Sequence, residues 1–237
     1  KIDLYKKISG YIKDSAILTS NTSGLQVNEL IEGMSDILAS KFFITHFFNP
    51  PRYMKLVEII KSSKTEDVHI ESVSEFLENK LGKGVVFAKD TPNFIANRIG
   101  VYGMMVVMQE TKKHGLSIED VDALTGTLIG RPKSATYRTA DVVGLDTLMF
   151  VANTAYTKCI DDDEREVFEI PSFLKKMLDN NWLGQKNGQG FYKKIEKGLI
   201  HSINLDSLEY SPQNKKRYDG VKFAKEFIDP VKSFNSL

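Results

Sequence analysis

The sequence lacks the features that mark several large classes of protein. It has a single cysteine among 237 residues, which excludes an internal disulfide framework and favours a reducing, cytoplasmic compartment. The formal net charge is only +1, from 32 basic and 31 acidic residues, so electrostatics give no case for a nucleic-acid or anionic-membrane partner. The longest apolar stretch, residues 101–108, is too short to span a bilayer. We also predict no metal site.

A glycine-rich phosphate-binding fingerprint is also absent. Dinucleotide-binding folds normally open with a strand, a Gly-x-Gly-x-x-Gly turn and a helix whose N-terminus receives the pyrophosphate. The nearest cluster here, Gly184, Gly188 and Gly190, has a different spacing and leads into Phe191 and Tyr192. The sequence therefore contains no self-sufficient dinucleotide site.

The first part of the chain reads as alternating helices and strands. Apolar spacing predicts a helix over 4–11 and a second helix over 67–81 that ends at Gly82. Runs rich in β-branched and aromatic residues predict strands over 16–19, 42–48, 55–60 and 84–88. Ser23 follows the first strand, and ligands gather at the carboxyl ends of strands in open α/β sheets.

Helices dominate from residue 93 onward. We predict helices over 93–114, 145–158 and 172–181. Another helix is predicted to start at Ser117, where the sequence has a capping pattern. The apolar residues of the first of these extend round much of its circumference, which indicates the core or a subunit interface. Beyond Lys193 the sequence is polar and mixed, and it yields no predicted element.

His46 and Glu58 hold symmetric positions on the two central strands. Each lies six residues from Arg52, in a connection too short for a parallel crossover. In a hairpin centred there, their Cβ atoms would face each other about 5 Å apart. A carboxylate that holds one imidazole nitrogen leaves the other free to take a proton, as in a general base. Spacing alone leaves a simple surface pair equally possible.

Five ordered motifs carry a family resemblance that covers residues 1–193. They are Ser20-Asn-Thr-Ser-Gly-Leu25, His46-Phe-Phe-Asn-Pro50, Lys55-Leu-Val-Glu58, Lys89-Asp-Thr-Pro-Asn-Phe-Ile-Ala-Asn-Arg98 and Gly184-Gln-Lys-Asn-Gly-Gln-Gly-Phe-Tyr192. Together they resemble the L-3-hydroxyacyl-CoA dehydrogenases of fatty-acid β-oxidation. The segment 130–141 is similar to the dehydrogenase part of bacterial multifunctional β-oxidation proteins.

The resemblance implies an α/β plus all-α fold. Residues 1–92 would be the C-terminal part of an NAD-binding Rossmann domain, residues 93–193 the helical C-terminal domain of the family, and residues 194–237 a polar extension. The implied reaction is the NAD-dependent oxidation of L-3-hydroxyacyl-CoA to 3-oxoacyl-CoA. Measured against the family, the chain starts inside the nucleotide domain, so we expect a fragment that lacks roughly one hundred residues and is inactive alone.

The resemblance also implies roles for individual residues. His46 matches the catalytic base, Glu58 the carboxylate that orients it, and Ser23 and Asn97 the residues that hydrogen-bond the reacting oxygen or the histidine. The implied cofactor contacts are Ser23 and Asn49 beside the nicotinamide, Lys186 from the helical domain, and Lys1.

Two other function classes are compatible with the residues. A hydrolase could use Ser23, His46 and Glu58, although the sequence around Ser23 lacks the Gly-x-Ser-x-Gly elbow. Alternatively, the chain could be a non-catalytic dimerisation or docking module. The family resemblance itself implies a homodimer formed through the helical domain.

Overall fold

A computed structural model describes residues 1–214 of the chain. It divides into two compact units, Lys1–Ile99 and a second that begins at Gly100. The first unit extends past the predicted boundary at residue 92, because the start of the following helix hydrogen-bonds Glu58 of the sheet and Ser23 of the loop after the first strand. Across residues 1–214, no helix has both the length and the apolar character needed to cross a membrane.

The first unit is built on a four-stranded mixed sheet. Its strands are β1 (Leu18–Ser20), β2 (Phe42–Phe47), β3 (Leu56–Lys61) and β4 (Gly84–Ala88), in the order β1-β2-β3-β4. β1 runs parallel to β2, β2 antiparallel to β3, and β3 parallel to β4. The predicted hairpin of the two central strands is therefore confirmed. Short connections force antiparallel pairing here, as expected.

Helices cover both faces of this sheet. They are α1 (Ile2–Ile8), α2 (Val27–Leu30), α3 (Asp36–Ala39) and α4 (Asp67–Asn79). Because side chains alternate along a strand, Phe42, Ile44 and Ile60 form one core with α1, α2 and α3. Phe43 and Ile59 point the opposite way and form a second core with α4. Both faces are buried, which explains why the central strands are almost continuously apolar.

The second unit is mainly helical. Its helices are α5 (Ala96–Lys113, which begins in the first unit), α6 (Ile118–Leu124), α7 (Tyr137–Val143), α8 (Leu145–Lys158) and α9 (Ser172–Asp179). Val101, Met105 and Met108 of α5 lie in the core of this unit, so packing within the unit accounts for much of the apolar surface of α5. The sequence did not predict α7.

A small sheet follows the helices. β5 (Tyr192–Glu196), β6 (Leu199–Ile203) and β7 (Tyr210–Pro212) pair antiparallel. Residues 194–214, which the sequence analysis assigned to a polar extension, form most of this sheet and its turns. Gly198 makes the tight turn between β5 and β6 at φ +87°, and Ile203 is buried in the core of the unit. The rest of the predicted extension, residues 215–237, lies outside the described part.

Candidate active site

His46 and Glu58 form a buried pair at the centre of the sheet. They are direct partners in the β2-β3 register, and His46 Nδ1 lies 2.7 Å from Glu58 Oε2. His46 is 5% exposed and Glu58 is 0% exposed. The predicted hydrogen bond is confirmed, and the alternative of a surface pair is wrong.

The second carboxylate oxygen of Glu58 is bound by the start of α5. Glu58 Oε1 accepts hydrogen bonds from the backbone amides of Ile95 (3.0 Å) and Ala96 (2.8 Å). Burial raises the pKa of Glu58, but the hydrogen bond with His46 and the two amides outweigh that effect, so the pKa is lowered. The helix N-terminus also favours negative charge. Glu58 is therefore held as a carboxylate.

Two residues in an unusual backbone conformation present these amides. The sequence predicted that α5 begins at Asn93, but it begins at Ala96. Asn93 and Phe94 have φ values of 63° and 52°, in the left-handed region that a bulky residue such as phenylalanine rarely adopts. Such conformations cost of order 1–3 kcal/mol each and cluster at functional sites.

Aromatic rings flank the imidazole of His46. The Phe48 ring centroid lies 4.5 Å from it and that of Phe94 lies 5.7 Å away. With Glu58 as an ionised acceptor, Nδ1–H of His46 donates to it. Within residues 1–214 the structure records no hydrogen bond of Nε2. The arrangement leaves Nε2 as the ring nitrogen that can exchange a proton with a bound molecule.

Ser23 and Asn97 lie next to each other. Ser23 is exposed in the loop after β1, and Asn97 Nδ2 donates to the Ser23 backbone oxygen at 3.4 Å. The structure records no hydrogen bond from the Ser23 hydroxyl to His46 within the described residues, which gives the hydrolase alternative no support. Sequence reasoning did not select Asn21, whose Oδ1 accepts from the Phe47 amide at 2.9 Å. Its position directly after β1, between Ser20 and Thr22, was the available signal.

The predicted cofactor residues occupy different regions. Asn49 is exposed in the segment that follows β2. Because β1 and β2 are parallel neighbours, Ser23 and Asn49 follow the carboxyl ends of adjacent strands. Lys1 is exposed at the start of α1, where its backbone oxygen accepts from the Tyr5 amide. Lys186 belongs to the second unit and contacts both carboxylate oxygens of Asp146 at 2.5 Å.

These residues fit one part of NAD. The exposed hydroxyl of Ser23 and amide of Asn49 suit the polar groups at the nicotinamide end. The pyrophosphate needs a glycine-rich turn that leads into a helix, and the sequence contains no Gly-x-Gly-x-x-Gly. The fit is therefore to the reactive end of the cofactor.

Comparison with known proteins identifies the relatives of the chain. Its residues 1–91 match the family model of the 3-hydroxyacyl-CoA dehydrogenase NAD binding domain, and residues 94–194 match that of the C-terminal domain. A probable 3-hydroxyacyl-CoA dehydrogenase of Bacillus subtilis is 50% identical over 226 residues, which are 95% of this chain and 28% of the relative. Another from Deinococcus radiodurans is 46% identical over 83% of this chain and 56% of the relative.

A solved structure agrees with these matches. The (S)-3-hydroxybutyryl-CoA dehydrogenase of Ralstonia eutropha superposes with a TM-score of 0.70 at 29% identity, over 80% of this chain and 64% of that one. The chain thus spans 28% and 56% of the length of the two curated relatives. Because the two domain models match consecutive segments in the family's order, the chain belongs to the 3-hydroxyacyl-CoA dehydrogenase family.

Proposed function

We propose that this chain supplies the catalytic base for the NAD-dependent oxidation of L-3-hydroxyacyl-CoA to 3-oxoacyl-CoA. The observation that carries the proposal is the buried His46–Glu58 hydrogen bond, in which Glu58 also accepts from the amides of Ile95 and Ala96 at the start of α5. General bases are commonly built this way. Membership of the family supplies the substrate class.

His46 would take the proton of the substrate hydroxyl at Nε2. The imidazolium that forms is stabilised by the ionised Glu58, to which Nδ1–H already donates. The rings of Phe48 and Phe94 exclude water from two sides of the imidazole, which strengthens that charge interaction. NAD, when bound, would supply the acceptor for the hydride that leaves the carbon bearing this hydroxyl.

The remaining predicted residues complete the proposal. Ser23 and Asn97 would hydrogen-bond the reacting oxygen or the histidine, and Ser23 and Asn49 would contact the nicotinamide end. Lys186 and Lys1 are proposed as further cofactor contacts. Cytoplasmic localisation also remains part of the proposal.

A hybrid enzyme tests the function directly. In it, this chain replaces the 196 matched residues of the Deinococcus radiodurans relative. We expect NADH formation from a 3-hydroxyacyl-CoA, with at least a hundredfold loss in His46→Gln, since a general base contributes roughly 10²–10⁴-fold. Lack of activity in a folded hybrid, or full activity of His46→Gln, would contradict the proposal.

The 237-residue chain by itself should bind NAD weakly or not at all. Its residues offer contacts to the nicotinamide end, whereas glycine-loop amides normally hold the pyrophosphate. Titration calorimetry with NAD and an absorbance assay for NADH measure this. Micromolar binding or steady turnover would show that the chain holds a complete cofactor site.

We also propose self-association through the second unit. Val142, Val143 and Phe150 on α7 and α8 are 65%, 47% and 64% exposed, and an interface between two copies of the chain would remove such apolar surface from water. Analytical ultracentrifugation should show a dimer at micromolar concentration, and Phe150→Glu should shift it to monomer. A monomeric wild-type chain would contradict this part of the proposal.

A further inference from the structure

The carboxylate of Asp90 binds the start of α2. Asp90 Oδ1 accepts from the Val27 amide at 2.7 Å, and Oδ2 accepts from the backbone (3.1 Å) and side-chain (2.8 Å) amides of Asn28. Gln26 Nε2 donates to the backbone oxygen of Asp90 at 3.2 Å. Four hydrogen bonds thus join Asp90, two residues after the end of β4, to the segment after β1.

The segment that follows Asp90 leads into the candidate active site. Its Phe94 ring packs on His46, and the amides of Ile95 and Ala96 bind Glu58. At its end, Asn97 donates to the backbone of Ser23. One short segment, residues 90–97, therefore contacts the base, its carboxylate and the loop after β1.

The loop after β1 and the start of α2, residues 21–28, are attached at four points. Asn21 binds the Phe47 amide next to His46, and Asn97 binds Ser23. At the far end Asp90 binds Val27 and Asn28, and Asn28 Oδ1 accepts from the Ser63 amide at 2.9 Å. The Asn97 contact is long, at 3.4 Å, whereas the Asp90 bonds involve a charged acceptor and are shorter. Charge-assisted hydrogen bonds are roughly twice as strong as neutral ones. Asp90 is therefore the strongest restraint on this loop.

We propose that Asp90 is a positioning residue that fixes Ser23 relative to the His46–Glu58 pair. It acts through the loop and touches neither member of the pair in the hydrogen bonds recorded for it. The inference rests on the proposed function, because Ser23 has a catalytic role only within it. The restraint on the loop itself does not depend on catalysis.

Amide hydrogen exchange on the 237-residue chain measures that restraint. Asp90→Asn keeps the shape but turns an NH₂ group towards amide donors, so the loop should open more often. We expect exchange at the Phe47 amide, which Asn21 protects, to be about tenfold faster. The matched control is Asp67→Asn, which removes an exposed carboxylate paired with Lys61 at the start of α4 and should leave Phe47 unchanged. Faster exchange confined to Val27 and Asn28 would overturn the inference.

Turnover of the hybrid enzyme separates positioning from general stability. Asp90→Asn should lower kcat by about tenfold with the KM for acyl-CoA nearly unchanged. In a Ser23→Ala background the same substitution should have little further effect, because groups that act through one contact are not additive. Full additivity of the two substitutions would overturn the inference.

A milder variant keeps the test decisive if Asp90→Asn does not fold. Asn28→Ala removes one of the three amide donors to the carboxylate, together with the acceptor of the Ser63 amide. It should speed exchange at the Phe47 amide and lower kcat by about threefold, and faster exchange confined to Ser63 would count against the inference. If Asn28→Ala and Asp67→Asn gave the same exchange at the Phe47 amide and the same kcat, the positioning role would be rejected and the proposed function would stand. Loss of His46-dependence in the hybrid would reject the proposed function and leave the exchange result intact.

Discussion

Each unit of the molecule buries a carboxylate that accepts two backbone amides. In the sheet unit Glu58 accepts from Ile95 and Ala96. In the helical unit Asp141 accepts from Phe191 at 2.8 Å and Tyr192 at 2.9 Å. The two amides share one carboxylate oxygen at Glu58 and bind one oxygen each at Asp141. The pKa of Glu58 is lowered, whereas that of Asp141 is raised to about 6.

The remaining neighbours explain the difference. His46 hydrogen-bonds the Glu58 carboxylate and outweighs the cost of burial together with the amides. For Asp141, burial outweighs its two amides, and the nearby Asp122 carboxylate raises the pKa further against a smaller opposing effect of Arg138. At these sites two amides alone do not offset the effect of burial on the pKa of a carboxylate, whereas two amides and an imidazole partner do. Chemical use is therefore expected at Glu58, and a structural role at Asp141.

The largest effect should come from removing the charge of Glu58. In Glu58→Gln the amides of Ile95 and Ala96 retain the carbonyl oxygen, so the NH₂ group faces His46 Nδ1. The imidazole must then carry its proton on Nε2, which can no longer accept one. We expect kcat of the hybrid to fall by about 10²–10⁴-fold with KM nearly unchanged.

Asp141→Asn is the matched control for that substitution. It makes the same chemical change at a buried carboxylate that also accepts two backbone amides, and it should leave kcat within about twofold once the folded fraction is measured. Equal losses of kcat in the two variants would remove the functional distinction between the sites.

The next effect tests the structural role of Asp141. A Cβ added at Gly190 would lie 2.1 Å from Asp141 Oδ1 and 2.5 Å from Gly184 Cα. Gly190→Ala should therefore lower the free energy of unfolding by about 2–4 kcal/mol. The control Gly100→Ala, in a helix with nothing within 4 Å of the added Cβ, should raise it by about 0.5–1 kcal/mol. Urea unfolding followed by fluorescence of the single tryptophan, Trp182, reports on this unit.

The pH dependence of stability should differ in sign between the two carboxylates. The pKa of Asp141 in the fold, about 6, lies above its ordinary 3.8, so its contribution is full below pH 3.8 and is lost as pH rises through 6. The largest change in the free energy of unfolding from this group is about 3 kcal/mol, at about 1.36 kcal/mol for each unit by which the pKa is shifted. Glu58 contributes above its ordinary 4.5 and loses that contribution as pH falls. In urea titrations from pH 4 to 7, the free energy of unfolding should decline less steeply with rising pH in Asp141→Asn than in the wild-type chain.

Local sequence patterns predicted the hairpin and the His46–Glu58 pair, because strand period and turn position determine which side chains face each other. They did not predict the amides of Ile95 and Ala96 at Glu58, which depend on a left-handed backbone at Phe94 that its residue type disfavours. The sheet after Lys193 had a local signal in Gly198, between two runs with strand character. Asp141 had none, because its amide donors lie about fifty residues away in the chain.

The smallest effect concerns whether the helical unit contributes to cofactor binding. Lys186 is exposed and paired with Asp146, and an exposed pair contributes only about 0–1 kcal/mol to stability. If Lys186 also contacts NAD, Lys186→Ala in the hybrid should raise the KM for NAD by about threefold, which is about 0.6 kcal/mol, with kcat unchanged. Asp146→Asn should lower the KM for NAD, because it frees the ammonium group of Lys186 from its carboxylate.

Lys176→Ala, which removes an exposed lysine on α9, is the control for a general loss of positive charge. Steady-state kinetics at low ionic strength give the strongest signal, since salt screens exposed charges. Unchanged KM values in both variants would limit Lys186 to its pairing with Asp146, and the proposed cofactor contacts would then lie in the sheet unit alone.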